Sequence, residues 1–469
     1  RLGRYDDPEA ITAFARESGA AFAVVGPEDP LSHGVVDALA AAGIPAVGPT
    51  KSLARLETSK SFTRNLLEKY RIPGNPRFRN FSSLAGVDAF FAELDGIVLK
   101  PDGLTGGKGV LVQGDHFQTA AEALDLCRGI LKSHPGVTVE EKLEGEEFSL
   151  QCLCDGRTVV ATPPVQDHKR RFAGDRGPNT GGMGSYSAAD HLLPFLDAAA
   201  VAEGLHITRK VAAAILRETG VPYKGIMYGG FMTTRAGVKL IEYNARFGDP
   251  EAMNILPLLR TDFIDLCRAI IDGNLDRTEV AFEQKATVCK YVVPKGYGLP
   301  PDHPDAASTS ARIEIGDTKG ARLYYSSIDR RNDGLYMTSS RAIGVVGIAD
   351  DLPEAERIAE TGVAGVHGAV GGLERGSDPE ARVGGVGPVV RRARRSDQRI
   401  RQATPRRGRT SRRRGAPRRG TPPPSGPRPR NWRAGPETLD APSARTPATE
   451  RLHGNGPWTR WSDRSRDRR

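Results

Sequence analysis

Lys100-Pro-Asp-Gly-Leu-Thr-Gly-Gly-Lys-Gly109 leaves the strand-like run Ile97-Val-Leu-Lys100 and enters a second apolar run, Val110-Leu-Val112. Glycines let backbone N–H groups come close to phosphate oxygens, and the two lysines add positive charge. Two familiar phosphate loops are excluded. A Walker A loop needs Gly five residues before Gly107 and Ser or Thr at 109, where this chain has Asp102 and Gly109. A dinucleotide-binding turn opens a helix, whereas this one runs on into a strand. Taken alone, the stretch is either a phosphate cover or a plain tight turn between strands.

Outward from it, strand and helix patterns alternate, which is the mark of α/β architecture. Phe22-Ala-Val-Val25 and Ala46-Val47-Gly48 read as short buried strands around a helix from Gly34 to Ala42. Lys60 to Tyr70 is an amphipathic helix with Phe62, Leu66, Leu67 and Tyr70 on one side. Thr138 to Glu141, Phe148 to Cys152 and Val238 to Asn244 are further strands. Phe263 to Asp272 and Leu352 to Ala364 are helices flanking a β-rich stretch over 286–348.

Three more stretches carry chemistry. In Leu240-Ile-Glu-Tyr-Asn-Ala-Arg-Phe-Gly-Asp249, strand alternation puts Glu242, Asn244 and Arg246 on one face and Ile241 and Tyr243 on the other. A carboxylate beside an amide oxygen suits Mg²⁺, which takes few protein oxygens plus substrate phosphates, and an adjacent Arg suits a transferring phosphoryl group. Val139-Glu-Glu-Lys-Leu-Glu-Gly-Glu-Glu147 is either a solvated acidic turn or an adenine slot with an acid for ribose hydroxyls. Gln166-Asp-His-Lys-Arg-Arg171 precedes Gly177-Pro-Asn-Thr-Gly-Gly-Met-Gly184, which reads as a mobile lid, an anion nest or a flexible surface loop. His168 reads as structural or solvent-facing rather than as a base. Cys127, Cys152, Cys154, Cys267 and Cys289 form no disulfide framework and, without nearby partners, no zinc site; core or edge positions are expected.

The net charge of +10 is unevenly spread. Residues 373–469 hold 26 Arg, no Lys and 9 acidic residues, a net of +17, which leaves −7 for residues 1–372. The tail has all three Trp but no Phe or Tyr, too little apolar surface to offset chain entropy, so a disordered segment is expected. An Arg-rich nucleic-acid arm is one reading of it; Arg, Pro, Gly and Ala without Lys is also what a shifted frame through GC-rich DNA yields. The acidic body argues against nucleic acid as a partner. No run of about 18 apolar residues occurs, so no membrane partner is expected.

Together and in this order, the motifs resemble the phosphoribosylamine–glycine ligase (glycinamide ribonucleotide synthetase) family of the ATP-grasp superfamily. The resemblance covers residues 7–368 and includes Val25-Gly-Pro-Glu-Asp-Pro-Leu31, Gly48-Pro-Thr50 and Ser59-Lys60 besides the stretches above. It implies an α/β and α+β multidomain chain with the ATP-grasp fold. The parts would be a truncated N-terminal α/β domain over 1–58, an ATP-grasp domain over 59–255 and a small C-terminal α+β domain over 256–369. The Arg/Pro/Gly-rich tail over 373–469 would follow. It also implies a cytoplasmic enzyme of purine synthesis, monomer or homodimer, using ATP and Mg²⁺ or Mn²⁺ to join glycine to 5-phosphoribosylamine.

Residue by residue, the resemblance implies ATP contacts from Lys60, Lys100, Gly103, Gly106, Gly107, Lys108 and Gly109. Glu140, Lys142 and Leu143 would line the adenine slot and Glu147 would meet the ribose. Glu242 and Asn244 would hold the metal, and Arg246 would be catalytic. Gly26, Pro27, Glu28, Asp167, Lys169, Asn179, Gly181, Gly182, Met183 and Gly184 would form the substrate side. Departures from the pattern are Pro101 and Thr105, where many members have Ala, the family's first strand and phosphate loop, which would precede Arg1 and are not in this sequence, and the Arg-rich ending. They imply that the polypeptide as written is inactive or poorly folded, the full-length enzyme active. The rivals are another ATP-grasp carboxylate–amine ligase, a pseudo-enzyme that binds ATP only, and a basic nucleic-acid-binding protein acting through its tail.

Overall fold

The computed structural model describes residues 4–105, 109–172, 176–299, 303–304 and 311–368. Gly106, Gly107, Lys108 and the tail over 373–469 lie outside the described residues.

Ala23–Val24 and Ala46–Val47 pair in parallel around the helices Glu28–His33 and Val35–Ala41. This unit docks on the strand Lys224–Thr234: the Gly48 N–H donates to the Lys224 carbonyl at 3.0 Å. A Cβ on Gly225 would come within 3.0 Å of the Gly48 Cα, so this backbone-on-backbone approach needs glycine.

Two four-stranded antiparallel sheets follow. The first runs Phe78–Phe81, Val137–Glu141, Ile97–Pro101, Leu111–Val112 and has its own core of Phe81, Phe90, Phe91, Leu99, Cys127 and Val139. Its helix Ala120–Ile130 starts at a reciprocal cap between Thr119 and Glu122, which satisfies N-terminal N–H groups that would otherwise lack partners. The second runs Gly237–Asn244, Lys224–Thr234, Glu146–Asp155, Val159–Ala161. The helix Ala198–Thr219 covers it, with Ile207, Val211 and Ile215 fully buried in the same core as Leu150, Phe231, Leu240 and Tyr243. Each such side chain contributes about 1.5–3 kcal/mol by leaving water.

A third sheet has five strands, Arg322–Tyr325, Ile343–Ala349, Ala286–Val292, Arg176–Ser187 and Gln166–Phe172. The segment 177–184, read from its glycines as a loop or lid, lies instead within the strand Arg176–Ser187, which pairs with Gln166–Phe172 at Asn179 and Gly184 and with Ala286–Val292 only from Gly184 onward. Glycine content misleads here because the strand carries an irregularity, described below, that uses those glycines. Packing also runs continuously across residue 255. Strands 166–187 share this sheet with 286–349, while the helix Phe263–Asp272 packs its Leu266, Cys267 and Ile270 against Val47, Leu153 and Ile226. All five cysteines are buried and free, as expected of core positions. Among the described residues, no helix is long and apolar enough to cross a membrane.

Candidate active site

The helix Lys60–Lys69 begins at Ser59, whose hydroxyl accepts from the Phe62 N–H at 3.2 Å and donates to Asp102 at 3.0 Å. Asp102 also accepts from the Ser61 N–H at 3.2 Å and hydroxyl at 2.6 Å. The residue that rules out a Walker A loop thus ties the glycine-rich stretch to a helix N-terminus. Gly103 and Gly109 flank the undescribed residues, both half-buried.

One turn into that helix, Arg64 grips Glu140 with two parallel bonds, Nε to Oε1 at 2.6 Å and Nη2 to Oε2 at 2.9 Å. Lys100 joins Glu140 at 2.9 Å, and all three side chains are at most 4% exposed. Burial by itself would raise the Glu140 pKa, yet Arg64 and Lys100 pull it below the usual carboxylate range. Burial, the largest effect on Lys100, lowers its pKa against the pull of Glu140. Arg64 also donates to the carbonyls of Leu240 (3.0 Å) and Ile241 (2.7 Å), and Lys100 to that of Ile241 (2.8 Å). This knot joins the first two sheets. Glu140 sits in its centre, so its side chain faces two cations rather than lining an open slot. Lys142 is exposed and donates to the Gln113 carbonyl at 2.8 Å, and Leu143 is half-buried.

The Ile241 carbonyl is free for this because the ladder slips there. Gly230 pairs with Glu242 and Phe231 with Leu240, leaving Ile241 as the extra residue of a bulge. Leu240 and Tyr243 both enter the core, so Ile241 does not share a regular face with Tyr243, as simple alternation predicts. Beyond the bulge the period resumes. Tyr243 and Ala245 point inward, and Glu242, Asn244 and Arg246 share the opposite, partly exposed face.

Charge converges on that face. Lys60 lies 3.2 Å from Glu242. Burial would raise the Glu242 pKa, but Lys60, Lys169 and Lys100 bring it down to about 2. Lys169, on the strand Gln166–Phe172, lies 3.8 Å from Asp167 and 3.6 Å from Glu147; chiefly Asp167 holds it charged. Arg246 pairs with Glu28 and with Glu57, each at 3.2 Å. Residues expected at the ribose, the substrates, the metal and the phosphoryl group are thereby brought together, and Glu28 draws exposed Gly26 and Pro27 beside them. Between the pairs Asn179↔Arg170 and Gly184↔His168, residues 180–183 bulge from the ladder. Met183 is buried in the core at 0% exposure, and Gly182 and Gly184 are buried beside it, so of residues 181–184, expected at the substrate, only Gly181 is open to solvent.

Sequence reading missed several residues here. Glu57, 4% exposed, accepts from the Ala245 N–H at 2.7 Å, and burial raises its pKa against the opposing charge of Arg246. Tyr228 donates to Glu251 at 2.5 Å. Gln151 accepts from the Gly248 N–H at 2.8 Å, while its Nε2 has no partner among the described residues. Only the placement of Glu251 directly after Asp249-Pro250 could have flagged it.

Burial, then the charge of Asp167, raises the Glu251 pKa from 4.5 to about 7. An acid with a raised folded pKa binds its proton more tightly folded than unfolded. Its stabilisation is therefore present below about pH 4.5 and is lost as pH rises through about 7. Glu251→Gln keeps an acceptor for Tyr228 and removes the ionisation. Its stability relative to the parent is expected to rise by about 3 kcal/mol between pH 4.5 and 8, measured by urea unfolding at both pH values. A pH-independent difference would refute the assignment.

Glu242 and Asn244 offer an ionised carboxylate and an amide oxygen on one face. No group of three or more His, Cys, Asp or Glu that could hold a metal occurs among the described residues. That donor set fits a hard cation that draws its remaining ligands from phosphate oxygens and water, and not a protein-caged ion.

The N-domain model of phosphoribosylglycinamide synthetase matches residues 3–57, and the ATP-grasp (A) domain model of the same enzyme matches 58–252. A phosphoribosylamine–glycine ligase of Methanoregula boonei is 48% identical over 363 residues, covering 77% of this chain and 82% of the relative. The crystal structure of phosphoribosylamine–glycine ligase from Thermotoga maritima superposes with a TM-score of 0.61 at 28% identity, over 70% of this chain and 80% of that one. The biotin carboxylase domain of Hydrogenobacter thermophilus 2-oxoglutarate carboxylase, in complex with MgADP, ADP and bicarbonate, reaches 0.59 at 14% identity over 78% of each chain. It shares the fold alone.

Proposed function

The chain belongs to the phosphoribosylglycinamide synthetase family, and from that premise we propose that it ligates glycine to 5-phosphoribosylamine at the expense of ATP, in purine biosynthesis. The fold is ATP-grasp and the reaction that of a carboxylate–amine ligase. The observation that carries the site assignment is the shared face of Glu242, Asn244 and Arg246, opposed by Lys60, Lys100 and Lys169.

In the first half-reaction a glycine carboxylate oxygen attacks the γ-phosphorus and the bond to the β–γ bridging oxygen breaks, releasing ADP. The ribosylamine nitrogen then attacks the glycyl carbonyl carbon, the carbon–oxygen bond to phosphate breaks, and the nitrogen loses a proton. Such transfers are governed by positioning and charge neutralisation. Lys60 and Lys100 bind nucleotide phosphates, and Gly103 and Gly109 bracket the glycine-rich cover. Lys142 and Leu143 lie at the adenine end and Glu147 at the ribose. Glu242 and Asn244 are suited to hold Mg²⁺ or Mn²⁺, which would neutralise phosphate charge. Arg246, kept in place by Glu57 and Glu28, meets the transferred group. Asp167, Lys169, Asn179 and Gly181 face the substrates, while buried Gly182, Met183 and Gly184 shape that edge from within, with Gly26 and Pro27 alongside. A cytoplasmic location belongs to this reading as a proposal.

The test is substrate-dependent ADP release, read as which carboxylate and amine any turnover requires. Turnover is expected only with glycine and 5-phosphoribosylamine together. Equal release with other carboxylates or amines would make it a different ligase of the same fold.

A further inference from the structure

Arg341 lies between the strands Gly334–Met337 and Ile343–Ala349, far in sequence from the motifs that define the site. Its side chain is 15% exposed. Nη1 donates to the carbonyls of Gly181 at 2.8 Å, Gly182 at 3.3 Å and Asp249 at 3.1 Å. Nη2 pairs with the Asp249 carboxylate at 3.0 Å. The guanidinium also sits 4.8 Å over the Tyr291 ring, whose hydroxyl donates to the other Asp249 oxygen.

Two segments thus meet on one side chain. The first is the 180–183 bulge, whose carbonyls are released from the ladder and need donors from elsewhere. The second is the stretch just after Arg246. They touch: Gly182 has φ +111°, and a Cβ there would fall 2.7 Å from Pro250 Cδ. Only a planar fork with several N–H groups can serve three carbonyls and a carboxylate at once; an ammonium cannot reproduce the arrangement.

We propose that Arg341 is a positioning residue that fixes the Thr180–Met183 bulge against Asp249 and so sets the substrate end of the site. The inference rests on the proposed function for what binds there, but not for the contact itself.

Arg341→Met is expected to raise KM for glycine or 5-phosphoribosylamine about tenfold, the equivalent of one or two charge-assisted hydrogen bonds. KM for ATP should stay within about twofold. Hydrogen exchange of peptides spanning 179–187 should quicken, while those spanning 97–101 stay unchanged. Arg341→Lys should fall between Met and the parent, and it decides the matter if the Met variant does not fold. Unchanged exchange at 179–187 in both variants would overturn the proposal whatever the activity. A fall of apparent kcat in proportion to the folded fraction, with every KM unchanged, would reduce Arg341 to a structural role. A parent chain that makes no ADP with both substrates would count against the proposed function alone, since the exchange result still judges Arg341.

Discussion

Glu140→Gln is expected to cost about 3–5 kcal/mol of unfolding free energy, the usual loss when one partner of a buried ion pair is removed. The substitution preserves shape but strips the carboxylate charge from between Arg64 and Lys100, which stay sealed from water. Carbonyls of Leu240 and Ile241 still accept from both cations, yet dipoles cannot replace a full charge at that depth. Lys100, whose pKa burial already lowers, would shed its proton to limit the damage. Urea unfolding at neutral pH measures the loss, and a value under about 1 kcal/mol would mean that the knot does not hold the two sheets together. The same variant should weaken ATP binding, because a neutral Lys100 no longer attracts phosphate.

Arg246→Ala is expected to slow turnover by about a thousand-fold or more while ADP affinity changes little, as befits a group that acts on the transferred phosphoryl rather than on bound nucleotide. Folding should survive. Burial already raises the pKa of Glu57, so losing its cation lets it take up a proton rather than remain a bare buried charge. Single-turnover ADP release with both substrates is the measurement. A loss confined to KM for ATP would instead make Arg246 a nucleotide-binding residue. Arg246→Lys should recover only part of the rate, since one ammonium cannot keep both Glu28 and Glu57 and also reach a phosphoryl oxygen.

Much of this was legible because it depends on local pattern. Period-2 alternation was enough to group Glu242, Asn244 and Arg246, and helices such as Phe263–Asp272 announce themselves by period and by Asp262 and Gly273 at their ends. Three things were not legible, each for a physical reason. The bulge at Ile241 arises from pairing with Gly230 and Phe231, which the strand's own sequence does not encode. The glycines of 177–184 look like a loop because no local signal reveals that they belong to a strand paired with Gln166–Phe172 and, from Gly184 onward, with Ala286–Val292. Arg64, Glu57 and Arg341 sit among ordinary helix or turn residues and gain their meaning only from carboxylates and carbonyls distant in sequence. The acidic neighbours of Glu140 allow either a solvated turn or an adenine slot, and only the fold reveals that two cations enclose its side chain.

The five-stranded sheet also has a consequence for synthesis on the ribosome. The strand Arg176–Ser187 finds its second neighbour, Ala286–Val292, only after roughly a hundred further residues have been made. Until then the nascent chain carries a hairpin with one bare edge, open to mispairing with another copy. Slowing elongation between those strands should leave the segment exposed for longer and lower the soluble yield, because this part of the sheet cannot close until translation is well past the nucleotide-binding motifs.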